Sequence, residues 1–206
     1  MRYISWTLIA IFWVILGGVL YYTLPAKDIV RIVNTYEERQ DLNDWTRIFW
    51  SRPDNQSDIL VARDVQFIQT VRADGSLMVY RNEDTGWSWP PYFKFDTANL
   101  YTEANDAVST KAVPEWYIVK HYGWRVKFLS TFPNAISIRP VAGPDASKGI
   151  PWVNIVILLL LAAFFYAMWA RWRRFRKSQI DPLIEKIQDN WEIAKSAINE
   201  KLGRFR

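Results

Sequence analysis

The chain has 206 residues, no cysteine, one histidine and a formal net charge of +5. That length fits one sizeable domain plus anchors, and the missing cysteines exclude disulfides and thiolate metal sites. A single histidine leaves little scope for multi-histidine metal centres or a Ser-His-Asp constellation.

The pI near 9.4 suggests nucleic acid until the charge is partitioned. Residues 25–148 hold 15 basic and 16 acidic residues, whereas 171–206 hold 10 basic and 5 acidic. The excess lies beside an apolar segment and reports topology and attraction to anionic lipid, so no nucleic-acid partner is expected.

Residues 1–3 form a short N-terminus, and residues 3–26 are uncharged. Ile4–Leu24 is predicted to be a first spanning helix, with Trp6 near one interface and Tyr21 and Tyr22 near the other. A cleavable signal peptide is the competing reading. The apolar run is longer than a signal core, and the best cleavage site, after Ala26, has bulky Leu24 where a small residue belongs, so an uncleaved anchor is expected. Gly17 and Gly18 leave a notch on this helix.

Residues 25–149 are polar enough to be soluble and patterned enough to fold. Asp28–Tyr36 is rich in β-branched residues and predicts a strand; Glu37–Asp44 is a polar interruption, WTRIFW follows at 45–50, and 51–58 is a loop by composition. Asp64–Asn82 predicts a hairpin turning at Asp74-Gly75, with Val65, Phe67 and Val71 alternating with polar residues. Asp96 is placed to cap a short helix, with Leu100, Ala104 and Val108 on one face. Trp116–Phe128 alternates again with Gly123 as a candidate bulge, and Phe132-Pro133-Asn134 turns the chain into a last strand, 135–141. Five to seven strands predict a mostly-β domain, a small barrel or sandwich with room for one helix.

Residues 150–170 are predicted to be a second span. The chain is uncharged from Gly149 to Ala170, about 33 Å of helix against a hydrocarbon core of about 30 Å. Arg171, Arg173, Arg174, Arg176 and Lys177 follow with no acid among them, a cluster retained on the cytoplasmic side and suited to lipid headgroups. The expected architecture is thus a membrane α-helical hairpin in a bacterial inner membrane. Both termini are expected in the cytoplasm and residues 25–149 in the periplasm. Ala163 and Ala167 form a small-residue stripe on the second span, at a different depth from Gly17-Gly18. One or both notches are therefore open to helices of another protein, with ordinary tolerance for small residues as the alternative.

In the tail, 171–206, Asp181 reads as an N-cap, Pro182 as the first helical residue and Gly203 as a C-terminal cap. Ile184, Ile187, Trp191, Ala194 and Ile198 recur at helical spacing and form a narrow apolar seam. The polar face carries both signs, which favours a partner helix or self-association over lying on lipid.

Chemistry is sparse. No P-loop, G-x-G-x-x-G or G-x-S-x-G is present, no cofactor is implied, and neither span holds an ionisable residue apart from tyrosine. Glu37, Glu38, Asp41, Asp44, Glu83 and Asp84 read as solvated loop acids paired with Arg39 or Arg81; glycoside hydrolysis needs the fold to set two of them across a cleft. His121 reads as a structural or solvated residue. Trp87, Trp89 and Tyr92 flank Pro90-Pro91 on one loop, either as a contact platform for protein, membrane or small ligand, or as a plug for one end of a barrel.

The segments DIVRIVNTYEERQDLNDWTRIFW (28–50), RDVQFIQTVR (63–72), YRNEDTGWSWPPYFKFDTANL (80–100) and EWYIVKHYGWR (115–125) resemble an uncharacterised family of alphaproteobacterial inner-membrane proteins, a domain of unknown function. The resemblance implies location and source and brings no activity, cofactor or catalytic residue. The expected function is non-enzymatic, an accessory or scaffold subunit docking on a larger membrane complex. The alternative is a periplasmic sensor or ligand-binding protein signalling to a cytoplasmic partner.

Overall fold

Val30 and Ile32 lie fully buried along the first strand, in the same alternating series as Asp28. A computed structural model describes residues 2–41 and 62–203. The chain divides into two units, Met1–Ile150 and Pro151–Arg206.

In the first unit, helix α1 (Arg2–Thr23) runs after a two-residue link into strand β1 (Ala26–Asp41). Strands β2 (Ala62–Arg72) and β3 (Leu77–Asn82), helix α2 (Thr97–Asp106), and strands β4 (Trp116–Tyr122) and β5 (Asn134–Val141) follow. The strands close a barrel in the order β1-β2-β3-β5-β4. Of the two expected architectures the barrel is the one observed. A five-stranded barrel of this order, with its helix between β3 and β4, has the connectivity of the OB class; such folds host unrelated functions, so no ligand follows from it.

β1 serves two neighbours: Ala26–Val30 pair with β4 and Val30–Asp41 with β2, with a bulge between Ile32 and Asn34. The polar run Glu37–Asp41 therefore continues the strand instead of interrupting it. Its backbone is paired by β2, which exposed charged side chains do not prevent. Asp44 and the 45–50 and 51–58 segments, with Trp45 and Trp50, lie outside the described residues.

The β2–β3 hairpin turns as expected, with Gly75 at φ 81° and the Asp74 carboxylate accepting from the Ser76 N–H at 2.8 Å. The core takes Ile68 rather than the Val65/Phe67 parity, because Val65 and Phe67 form a separate cluster with Tyr36, Val79 and Phe132. Covering both faces of β2 is what weakens its alternation.

α2 starts where expected, the Asp96 carboxylate accepting from the Asn99 N–H at 3.0 Å. Leu100, Ala104 and Ala107 are buried against Val30, Ile32, Met78 and Tyr80. Burying a leucine of this kind contributes about 1.5–3 kcal/mol. Val108 does not share that face. The helix has already ended, and Val108 is exposed on a bridge to Ile32. Gly123 is not a bulge either; it ends β4 at φ 94°, while the β4–β5 irregularity falls between Lys120 and His121.

In the second unit, α3 (Trp152–Phe175) continues through a π-helical turn (Arg176–Ile180) into α4 (Asp181–Gly203). Asp181 has helical dihedrals and is not an N-cap; its carboxylate pairs with Arg176 at 3.2 Å. Pro182 is likewise not the start of a new helix. A proline ring clashes with the carbonyl four residues earlier, and the wider π turn immediately before it makes room.

Candidate functional site

Four strands converge on Asp28. Its Oδ2 accepts from Arg72 Nε at 3.0 Å and Nη2 at 2.8 Å and from the Tyr80 hydroxyl at 2.7 Å, and lies 3.2 Å from His121 Nε2. Lys148 Nζ is 3.8 Å from Oδ1. Burial pushes the Asp28 carboxyl up, but hydrogen bonds from His121, Tyr80 and Arg72 outweigh it and hold the group well below the usual carboxylate range. Burial, and then the Asp28 charge, push the Tyr80 phenol far above its ordinary value. With donors from three other strands on its Oδ2, Asp28 fastens β1, β2, β3 and β4 together.

A second polar group lies where β3 meets β5. Only Arg81 and Asn134 pair across this parallel seam, and side chains complete it. The Asn134 amide accepts from the Glu83 N–H and donates to the Glu83 carbonyl, both at 2.9 Å. Lys94 Nζ donates to the Asn82 side-chain oxygen and, at 2.9 Å, to the Ala135 carbonyl. Burial lowers Lys94 to about 7, against a smaller opposing pull from Asp84. Beside it, buried Arg81 and Glu83 form an ion pair at 3.2 Å.

This seam carries the first helix. The Tyr22 phenol meets the Arg81 guanidinium, and its ring packs edge-on against Tyr122 (6.2 Å) and Trp124 (5.4 Å). The Gly123 N–H donates to the Tyr22 carbonyl at 2.9 Å. Tyr92 stacks on Tyr122 at 4.8 Å and its hydroxyl donates to the Thr23 carbonyl. Each aromatic pair adds about 0.5–1.5 kcal/mol beyond its buried area, so the end of α1 is seated on the barrel rather than tethered to it.

The junction gathers four of the expected contact residues: Trp87, Trp89, Tyr92 and Gly18. Trp87 and Trp89 are exposed (72% and 71%) on the loop that Tyr92 anchors, so they do not plug the barrel. Phe93, at φ 51°, turns the chain so that its own ring meets Trp87 at 5.2 Å while Lys94 enters the interior. Gly18 faces Trp124, 3.9 Å from the position a Cβ would take, and Gly17 has no atom within 4 Å of that position.

In the second unit Ala163 and Ala167 are exposed, as are Arg171, Arg173, Arg174, Arg176 and Lys177. The Arg173 guanidinium lies over the Trp169 ring at 5.4 Å. Ile184, Ile187 and Trp191 are exposed on α4; the side chains of Ala194 and Ile198 lie outside the described residues. Of the acids, Glu37 and Glu38 are exposed along β1, Glu83 is paired with Arg81, and Asp84 Oδ2 accepts from the Thr97 hydroxyl at 3.4 Å.

A family model described as Protein of unknown function (DUF1523) matches residues 1–176. The chain belongs to that family. A Haemophilus influenzae protein, described as uncharacterized, is 32% identical over 160 residues, covering 77% of this chain and 87% of the relative. No solved structure matches. The expected family without assigned function is thus found, while an alphaproteobacterial source and a membrane location are not part of what these matches carry. The DUF1523 match ends at Arg176, the first residue of the π turn, and so takes in α1, the barrel and α3 but not α4.

The residues that build the two polar groups, Asp28, Arg72, Tyr80, Lys94 and Asn134, carry no functional expectation from the sequence. One signal was available: Asp28 and Arg72 each end an otherwise uncharged inward series, Asp28-Val30-Ile32 and Ile68-Thr70-Arg72. Charges at the ends of such series imply partners from other strands.

Proposed function

We propose that this DUF1523 protein is a non-enzymatic membrane protein, an accessory or scaffold subunit that docks on a larger inner-membrane complex. The observation that carries the reading is the surface of the two apolar helices. Trp6–Thr23 and the apolar part of α3 are long and apolar enough to cross a bilayer, and neither stretch is buried within the chain. Large side chains such as Leu8, Phe12, Val14, Leu159, Leu160 and Phe164 are exposed. A core helix of a water-soluble protein would be covered, so this surface favours lipid and neighbouring helices.

The seating of α1 on the barrel favours a retained anchor over a removed leader. The basic cluster 171–177 favours a cytoplasmic C-terminus and a periplasmic barrel, and suits anionic headgroups. The docking surfaces offered are the Gly17 notch, the Ala163/Ala167 stripe and the seam of α4. Purification in gentle detergent with mass spectrometry of what co-purifies is the test: enrichment of a defined set of membrane proteins is expected, and recovery of the chain alone contradicts it.

One observation favours a second reading, a sensor. Helical structure is unbroken from Trp152 to Gly203, a stiff link between an outer domain and an inner partner. Thermal stabilisation of the full chain by a periplasmic metabolite supports this reading; no shift with any leaves it without an input.

A further inference from the structure

The barrel does more than sit at the end of α1. Trp124, which follows β4, reaches back along the helix. It packs against Tyr21 at 6.2 Å, and its Cη2 is the atom nearest the missing Cβ of Gly18. Gly18 precedes the last helical residue, Thr23, by five positions, about 7.5 Å along the axis. It also lies inside the apolar stretch Trp6–Thr23. A segment of the barrel domain therefore lies beside the membrane-crossing part of α1 rather than beyond it.

That segment continues into a short 3-10 turn, Lys127–Leu129, where Phe128 is 93% exposed, the most exposed large apolar side chain described. The second loop at the helix end, held by the bond from Tyr92 to Thr23, presents Trp87, Trp89 and Phe93 to the outside. We infer that these two loops form a collar around α1 that sinks into the headgroup layer, with Trp89 and Phe128 at the boundary with the hydrocarbon. The occupant is the lipid interface itself. Its chemistry suits tryptophan and phenylalanine rings at that depth, and exposed Lys127 beside Phe128 is placed to reach lipid phosphates. In water, four large exposed aromatics on two adjacent loops have no such partner.

The inference rests on the membrane reading of α1, and the test separates the two. The native chain lacks cysteine, so single cysteines introduced by Trp89→Cys, Phe128→Cys, Ile11→Cys and Asp106→Cys carry one nitroxide each. The full chain is reconstituted in phosphatidylethanolamine/phosphatidylglycerol vesicles, and collision with oxygen is compared with collision with a water-soluble nickel chelate. The ratio is expected to favour oxygen strongly at Ile11 and nickel at Asp106, with Trp89 and Phe128 shifted from the Asp106 value toward oxygen. A hydrocarbon value at Ile11 with an aqueous value at either Trp89 or Phe128 overturns the collar. An aqueous value at Ile11 overturns the membrane reading on which it rests. All four positions are exposed, so the substitutions remove no core contact.

Discussion

The Asn134 side chain takes the place of a strand neighbour for Glu83, accepting from its N–H and donating to its carbonyl at 2.9 Å each. The two residues lie where β3 and β5 meet through one ladder pair, so a side-chain amide supplies hydrogen bonds that backbone supplies elsewhere in the barrel. Asn134 is fully buried, and water cannot replace it.

Replacing Asn134 by alanine leaves both Glu83 groups buried without those partners, which costs about 2–5 kcal/mol. Denaturant unfolding of the detergent-solubilised chain, followed by tryptophan fluorescence, measures it. Asn134→Asp keeps an acceptor for the N–H but buries a carboxylate against the Glu83 carbonyl, and is expected to be no more stable than alanine.

Asp28→Asn removes the anion that Arg72 faces at 2.8 Å and is expected to destabilise the barrel by about 1.5–3 kcal/mol, because Arg72 is partly exposed to water. Because the folded carboxyl is held below its unfolded value of about 4, its contribution is present above pH 4 and lost as pH falls toward the lower folded value. Unfolding measured from pH 7 down to pH 2 should show this acid limb in wild type and lack that component in Asp28→Asn.

Lys94 also makes stability rise with pH, but in a higher window and as a penalty relieved rather than a contribution gained. Its folded value is about 7, below the ordinary 10.5, so folding is penalised when the lysine must be charged. That penalty is full below pH 7 and relieved as pH rises from 7 toward 10.5, by about 1.4 kcal/mol per pH unit. Lys94→Met is expected to flatten stability across that window, although it also loses the bonds to Asn82 and Ala135. Unfolding curves at pH 7, 8 and 9 for both proteins decide the matter.

The lines legible in sequence were those set by local chemistry. Asp74-Gly75 dictated a hairpin because only a positive φ closes that turn, and Asp96 dictated a helix start because its carboxylate can reach the Asn99 N–H. Both apolar helices were visible from the absence of charge. What was hidden depends on distant partners. Glu37–Asp41 remains a strand because β2 pairs its backbone, a fact no side chain there announces. Asp28 finds Arg72, Tyr80 and His121 only after four strands are in place. Pro182 misled because proline starts helices more often than it sits behind a π turn.

Gly123 joins barrel to helix, its N–H donating to the Tyr22 carbonyl at 2.9 Å. At φ 94°, alanine there is strained by its backbone conformation, its Cβ meeting the Pro133 Cα at an ordinary 3.5 Å. Gly123→Ala is expected to cost about 1–3 kcal/mol and to speed proteolysis of the link between α1 and β1. Gly75→Ala strains an exposed turn instead and should leave that cleavage rate unchanged.

The central claim is that α1 and α3 hold the chain in a membrane with the barrel on the outer side and the tail inside. The absence of cysteine makes it directly measurable. Asp106→Cys on the barrel and Lys195→Cys on α4 are each treated with a membrane-impermeant maleimide in bacterial spheroplasts, before and after permeabilisation. The account predicts labelling of Asp106→Cys in intact spheroplasts and of Lys195→Cys only after permeabilisation. Labelling of Lys195→Cys from outside, or protection of Asp106→Cys, contradicts it.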